Sequence, residues 1–365
     1  MTRPIKATID LSALRHNHGV ARRHSRGARI WSVLKANAYG HGLLRSARAL
    51  AELADGFALI ELEGAIALRE AGLRQPILLL EGFYSADELP LFEEYQLTPV
   101  VHSLGQVGML AAASLALPIY LKQNSGMNRL GLNADEFHSA LATFETRSRI
   151  TDITLMTHFS DADTALGIDL QWARFVALRR ELGEGRRLCH ANSATLLRYP
   201  ECEGGEGDWV RPGIMLYGSS PFPDLASASS LGLKPVMTLE SELIAVRDLV
   251  AGDSVGYGGI FTAEAPLRIG VVACGYADGY PRAALTGTPV QVCGRRTRTL
   301  GRVSMDKICV DLTGIREADV GSPVLLWGGD PVTGLSADEV AGAAGTVSYE
   351  LFCALASRVR VFERD

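Results

Sequence analysis

A lysine at the tip of an apolar run, with glycines just beyond it, is placed for amine chemistry. Here it is Lys35, in the string RIWSVLKANAYGHG over residues 29–42. The chain holds five lysines (Lys6, Lys35, Lys122, Lys234 and Lys307) among its 36 basic residues, so arginine carries the surface charge. A lysine kept at the end of a buried-looking strand therefore asks for a use beyond solubility. Deprotonated, its amine can close a Schiff base with a carbonyl, which a guanidinium cannot do. The plain alternative is a lysine whose stem packs while its head reaches water.

The elements around Lys35 bear on that choice. Short strand-like runs recur at 30–35, 56–60, 76–81, 97–102, 117–122, 152–158, 187–192 and 208–214. Most are rich in Val, Ile and Leu, as strands covered on both faces should be. Stretches of helical period lie between several of them (43–53, 62–72 and 170–182), and glycine often closes such a stretch. The count and length predict an α/β fold, a (β/α)8 TIM barrel. A doubly wound open sheet shares the alternation, but no GxGxxG follows the first strand to support a dinucleotide-binding version. In a barrel the C-terminal strand ends form one mouth. Lys35 ends the first strand, Lys122 the fifth and His158 the sixth; Asn192 and Ser193 follow the seventh, and Arg211 lies on the eighth.

Near residue 219 the alternation stops. The stretch SSPFPDLASASSLGLKP reads as a connection, and short alternating runs separated by glycine turns follow it, the pattern of an antiparallel β domain. Residues 1–228 are thus expected to form the barrel, and 229–365 a mostly β C-terminal domain. Hydrophobic content of 47% with 21% charged residues suits a protein with a large core. A net charge of −5 gives no basic footprint for nucleic acid. The N-terminus lacks the features of a signal peptide. The long uncharged stretch 103–121 contains Gln106, two glycines and Pro118, which reads as a helix, a break and a strand rather than a membrane span. The six cysteines, Cys202 among them, show no CxxC or framework spacing, so free thiols, no metal site and a cytoplasmic location are expected.

Eight ordered motifs sharpen this reading: KANAYGHG (35–42), NSGMNRLG (124–131), THFSDAD (157–163), ANSAT (191–195), VRPGIMLYG (210–218), VGYGGIF (255–261), GYADGYPR (275–282) and GRVSMDK (301–307). Through them the chain resembles the bacterial alanine racemases, which use pyridoxal 5′-phosphate, over nearly its whole length. The resemblance implies that Lys35 holds the cofactor and acts as one catalytic base. It places Tyr39, Ser193 and the backbone amides of Gly213 and Ile214 around the phosphate, with Asn192 among the cofactor-binding residues. Arg211 would face the pyridine nitrogen, with His158 in the same network. Arg129 would hold the substrate carboxylate, and Lys122, carbamylated in many members, would orient it. Tyr257 would be the second base, lent by the partner in a homodimer with shared active sites, with Met305, Asp306 and Tyr276 near the substrate. Three positions depart from the family pattern: Ser357 stands where some members carry a phosphate-binding tyrosine, His190 is shifted by one residue from a histidine of some relatives, and Asn124 replaces an aspartate.

These roles fit the reaction the resemblance implies, the interconversion of L- and D-alanine for peptidoglycan or for alanine breakdown. Racemisation removes the α-proton from one face of a planar intermediate and returns a proton to the other. It needs two acid–base groups, each worth roughly 10²–10⁴-fold. Lysine and tyrosine ordinarily titrate near about 10.4 and 10, so burial and neighbouring cations must shift them. A guanidinium stays protonated, so its partner pyridine nitrogen must remain neutral, which weakens the electron sink and favours reprotonation at Cα. Rival readings are a racemase of broader range, a decarboxylase on the same plan, and a single-domain cofactor carrier. The carrier would lack the second domain, and the decarboxylases would lack NSGMNRLG and GYGGIF.

Overall fold

The computed structural model describes residues 3–113, 115–147, 149–150, 152–183, 185–200 and 205–365; Cys202 lies outside them. Two compact units divide the chain. The first comprises Asn17–Ala38 and Gly42–Leu216; the second gathers the chain up to His16, Tyr39–His41 and Tyr217–Asp365.

Strand β1 (Lys6–Asp10) belongs to the second unit. The first unit is built from β2 (Arg29–Val33), β3 (Gly56–Leu59), β4 (Ile77–Leu79), β5 (Leu97–Val101), β6 (Ile119–Lys122), β7 (Ile153–Met156), β8 (Leu188–Asn192) and β9 (Trp209–Arg211). These eight pair in parallel, and β9 returns to β2 to close the barrel. Closure decides against the open sheet, and every strand-like run expected from the sequence is a barrel strand. Strands β3 to β7 and β9 are buried throughout, which is why they read as unbroken apolar runs. Trp31 on β2 stacks on Trp209 of β9 with ring centres 4.0 Å apart. Its Nε1 donates to the Tyr120 hydroxyl on β6 at 3.0 Å. Strands β2 and β6 are opposite in the ring, so that bond crosses the interior.

The second unit is mostly β. It contains β10 (Met237–Leu249), β11 (Ser254–Val255), β12 (Phe261–Thr262), β13 (Leu267–Val272), β14 (Pro289–Val292), β15 (Arg295–Leu300), β16 (Ile308–Asp311), β17 (Pro323–Trp327) and β18 (Arg360–Arg364). Its main sheet runs β13-β16-β15-β14-β17-β10-β1-β18. The long β10 pairs with β17 along its first half and β13 along its second, which closes a ring of six strands.

The boundary expected at 228 needs correction at both ends. Strand β1 pairs antiparallel with β10, Lys6 opposite Glu240, and parallel with β18. It buries Ala7 and Ile9 in that sheet, so the N-terminus is β-domain chain. The Ser/Pro-rich stretch after 219 is not a free linker either. It is folded into the same unit, where the Ser220 amide donates to Asp338 Oδ2 at 2.9 Å. Residues 104–112 form a helix that ends well before β6, and among the described residues no helix is long and apolar enough to cross a membrane.

Candidate active site

Lys35 stands at the mouth end of β2, where the chain makes an unusual turn. Ala36, Asn37, Ala38 and Tyr39 all have left-handed backbone angles, with φ of 52°, 53°, 54° and 51°. Such a turn costs roughly 1–2 kcal/mol per residue, so neighbouring contacts must hold it. In the second unit, Gly40 (φ 77°) fits so closely that a Cβ there would meet the Phe352 carbonyl oxygen at 2.0 Å. Tyr39 is buried between Tyr217 and Tyr349, with ring centres 4.7 and 5.9 Å away. Burial pushes its phenol well above the ordinary range. His41 stacks on Tyr217 at 4.6 Å, and its Nδ1 lies 2.8 Å from the Tyr39 carbonyl.

Four cations converge in the barrel unit. Arg211, Lys122, Arg129 and Lys35 all act on His158, whose basicity is pushed well below ordinary first by burial and then by these charges. Lys122 is buried too. Desolvation, with Arg211, Arg129 and Lys35 as like charges, lowers its ammonium to about 7, while Glu81 opposes the shift. Arg211 is held almost rigidly. Nη1 donates to the Cys189 carbonyl at 2.8 Å and to Cys189 Sγ at 3.0 Å, and Nη2 to the Thr157 carbonyl at 2.8 Å. Longer contacts run from Nη2 to His190 O at 3.3 Å and His158 Nδ1 at 3.4 Å. The guanidinium donates, so Nδ1 accepts and the neutral ring carries its proton on Nε2. Main-chain carbonyls thus occupy both Nη groups, and within the described residues no hydrogen bond passes through Nε.

Arg129 is exposed, on a loop pinned at its base. Leu132 N donates to Lys122 O at 2.9 Å, and Asn124 N to Leu132 O at 2.9 Å. The Asn124 side chain accepts from the Gly126 and Asn128 amides at 3.1 and 3.0 Å, folding the loop that presents Arg129. Thr157 Oγ1 donates to Gln123 O at 3.0 Å and lies 2.7 Å from Ser125 Oγ, tying this loop to the end of β7.

The donors expected around a phosphate are also together. Ser193 Oγ accepts from the Gly213 amide at 2.8 Å, which leaves its hydroxyl proton to give. Ile214 opens a 3-10 turn (Ile214–Tyr217), so its buried N–H has no partner within that turn. A hydroxyl, the Ile214 amide, an Arg211 Nε–H held in place and a lysine amine are what the phosphate, pyridine nitrogen and aldehyde of pyridoxal phosphate require, and the residues fit the group. The Asn192 side chain caps the Ser193–Arg198 helix, accepting from Thr195 N at 3.0 Å and donating to Phe159 O at 3.4 Å. That supports Ser193 from behind.

The remaining expected residues lie on the second unit. Tyr257 sits in the turn after β11, between glycines with positive φ, and is 74% exposed. That excludes a mere lid over the core, since a ring serving as one would be covered. Met305 is 53% exposed, too much for a packing residue. Tyr276 is partly exposed, and Asp306 is bound by Arg358 Nη2 at 2.5 Å.

Comparison with known proteins follows the same division. The alanine racemase N-terminal domain model matches residues 9–221, and the C-terminal domain model residues 236–362. The chain belongs to the alanine racemase family. It is 56% identical to the alanine racemase of Nitrosomonas eutropha, covering 98% of both chains. It is 51% identical to the catabolic alanine racemase of Klebsiella aerogenes, covering 99% of each. The biosynthetic alanine racemase from Pseudomonas aeruginosa superposes with a TM-score of 0.93 at 43% identity, over all of both chains.

Within this family frame the departures become specific. The ring of His190 packs among Trp172, Phe175 and Phe159, and its carbonyl accepts from Arg211. The side-chain partner of Arg211 one residue earlier is Cys189, which the sequence marked only as one thiol among six. Ser357 is exposed. Thr157 was legible as part of a motif but not as the residue whose carbonyl fixes Arg211.

Proposed function

We propose that the chain is an alanine racemase that binds pyridoxal 5′-phosphate and works as a homodimer with shared active sites. The observation that carries this is the gathering of Lys35, Lys122, Arg129 and Arg211 around His158 in a chain of net charge −5. A cluster of cations in an acidic protein suits a dianionic cofactor and a substrate carboxylate.

When bound, pyridoxal phosphate supplies an electron sink that acidifies the Cα–H of the attached amino acid. Lys35 Nζ removes or returns that proton on one face. Tyr257 of a second copy serves the other face through its phenolic oxygen. Ser193, Tyr39 and the Ile214 amide hold the phosphate, while the Gly213 amide, expected there too, donates to Ser193 Oγ and so orients that hydroxyl. Arg211 offers Nε–H to the pyridine nitrogen and, being always charged, keeps that nitrogen an acceptor. With its Nη groups bound to carbonyls, it cannot swing away to let water protonate the ring. Arg129 binds the substrate carboxylate. Lys122 is neutral in about half of molecules near pH 7, and a neutral amine can add carbon dioxide, forming an N–C bond and losing a proton. The resulting anion would pair with Arg129 and hold it in place. Met305, Asp306 and Tyr276 border the substrate.

The test is incubation of the purified, cofactor-loaded protein with L-alanine in heavy water. D-alanine formed early carries deuterium at Cα, while the L-alanine recovered with it remains largely protiated, as two separate carriers require. No loss of optical activity would remove the assignment, and equal early labelling of both enantiomers would remove the second carrier.

A further inference from the structure

Four charged side chains in the second unit form a closed network that the reaction scheme does not use. The Asp278 carboxylate is fully buried and meets two guanidinium groups. Arg3 reaches its two oxygens at 3.3 and 3.1 Å through Nη1 and Nη2, and Arg358 Nε donates to Oδ1 at 2.7 Å. Both arginines continue to Asp306. Arg358 Nη2 bonds its Oδ1 at 2.5 Å, and Arg3 Nη2 donates to its main-chain carbonyl at 2.9 Å. A buried carboxylate left unpaired is costly, so the network is strongly self-enforcing.

What it holds is two short segments, 275–279 and 304–306. They are joined by main-chain bonds, Tyr276 N to Ser304 O at 3.1 Å and Ala277 N to Met305 O at 2.9 Å. The fit is tight enough that a Cβ on Gly275 would meet the Ser304 carbonyl oxygen at 2.3 Å. Asp278 also accepts from the Gly275 amide at 2.9 Å, so the charge network grips the first segment by its side chain and the second by Asp306. Tyr276 and Met305 are exposed side chains carried on these two segments.

We propose that Arg3, acting with Arg358 through Asp278, is a positioning residue for the substrate-facing segments that bear Tyr276 and Met305. The inference rests on the reading above that these two side chains border the substrate. It gives the N-terminal arm a role in substrate binding: Arg3 precedes β1 and ties the chain's beginning to the substrate rim. Lysine could not replace Arg3 fully, because a single ammonium cannot reach both Asp278 oxygens and the Asp306 carbonyl in one fixed fork.

The experiment compares wild type, Arg3→Ala and Arg3→Lys as full-length, cofactor-loaded protein, reading KM and kcat for alanine in both directions. Amide hydrogen exchange over 275–279 and 304–306 is measured alongside. For Arg3→Ala, KM rises about tenfold while kcat changes less than about twofold, since loosened positioning is lost mainly from binding. Exchange accelerates in both segments together, and Arg3→Lys recovers part of each effect. Unchanged KM with unchanged exchange overturns the proposal, and so does a loss of kcat alone that tracks loss of folded protein. If Arg3→Ala does not fold, Arg358→Lys, which keeps a positive charge beside Asp278 but not the second bond to Asp306, must show the same KM shift. If wild type does not racemise alanine, the functional reading fails by itself, and the exchange arm still decides whether Arg3 holds the two segments.

Discussion

Lys122 sits in an environment far from the one its residue type would choose. It is buried among cations and titrates near 7 rather than at its usual 10.5. Between those pH values the unfolded chain binds a proton that the folded chain does not, so this residue makes stability rise with pH across that window. The penalty is fully developed below pH 7 and amounts to about 5 kcal/mol. In carbon-dioxide-free buffer, Lys122→Met should therefore stabilise the fold at pH 7 and lose that advantage as the pH approaches 10.5. Urea midpoints across the range check this; a pH-independent difference would mean the amine is not desolvated as described. The sequence placed Lys122 at a strand end and so at the mouth, because strand ends are legible. It could not give the surrounding charges, which come from Arg129 on a loop and Arg211 on another strand. Cys189 was unread for the same reason: its contact with Arg211 depends on a one-residue offset between β8 and β9, and no pattern in either strand reports register.

Among the elements, the barrel strands were the most legible, since each is an apolar run bounded by polar chain. Strand β1 was not. Its five residues alternate correctly, but their partners lie at 237–240 and 360–364, and periodicity says nothing about partners so distant. The left-handed turn after Lys35 was equally hidden. Ala36 and Ala38 ordinarily favour a right-handed helix or an extended chain, and only Asn37, Gly40 and Gly42 hint at positive φ. The turn exists because burial of Tyr39 and His41 beside Tyr217 compensates its strain. Gly40 is the point of least tolerance. Gly40→Ala should cost more than about 2 kcal/mol, from a forbidden φ and collision with the Phe352 carbonyl, and should weaken cofactor retention at Lys35. Thermal unfolding with cofactor absorbance reads both effects; wild-type values for both would show that the turn relaxes freely.

At the scale of the whole molecule, the two units carry different halves of the chemistry. The barrel unit holds the cations and Lys35, the proposed cofactor lysine; the β unit offers an exposed phenol, Tyr257, on a glycine turn. Composition and spacing predicted both units, with their boundary misplaced by β1 and the Ser/Pro stretch. The roles proposed for Tyr257, Tyr276 and Met305 rest on motif resemblance, because a side chain proposed to act in a neighbour's site would leave no trace in its own chain's periodicity. The central claim is that Lys35 of one copy and Tyr257 of another make one site, and mixing two crippled variants tests it most directly. Lys35→Ala and Tyr257→Phe, each nearly inactive alone, are dissociated together and allowed to reassemble. Mixed dimers then contain one intact site of two, so the account expects recovery of roughly a quarter of wild-type activity. Activity no greater than the sum of the separate variants would contradict it.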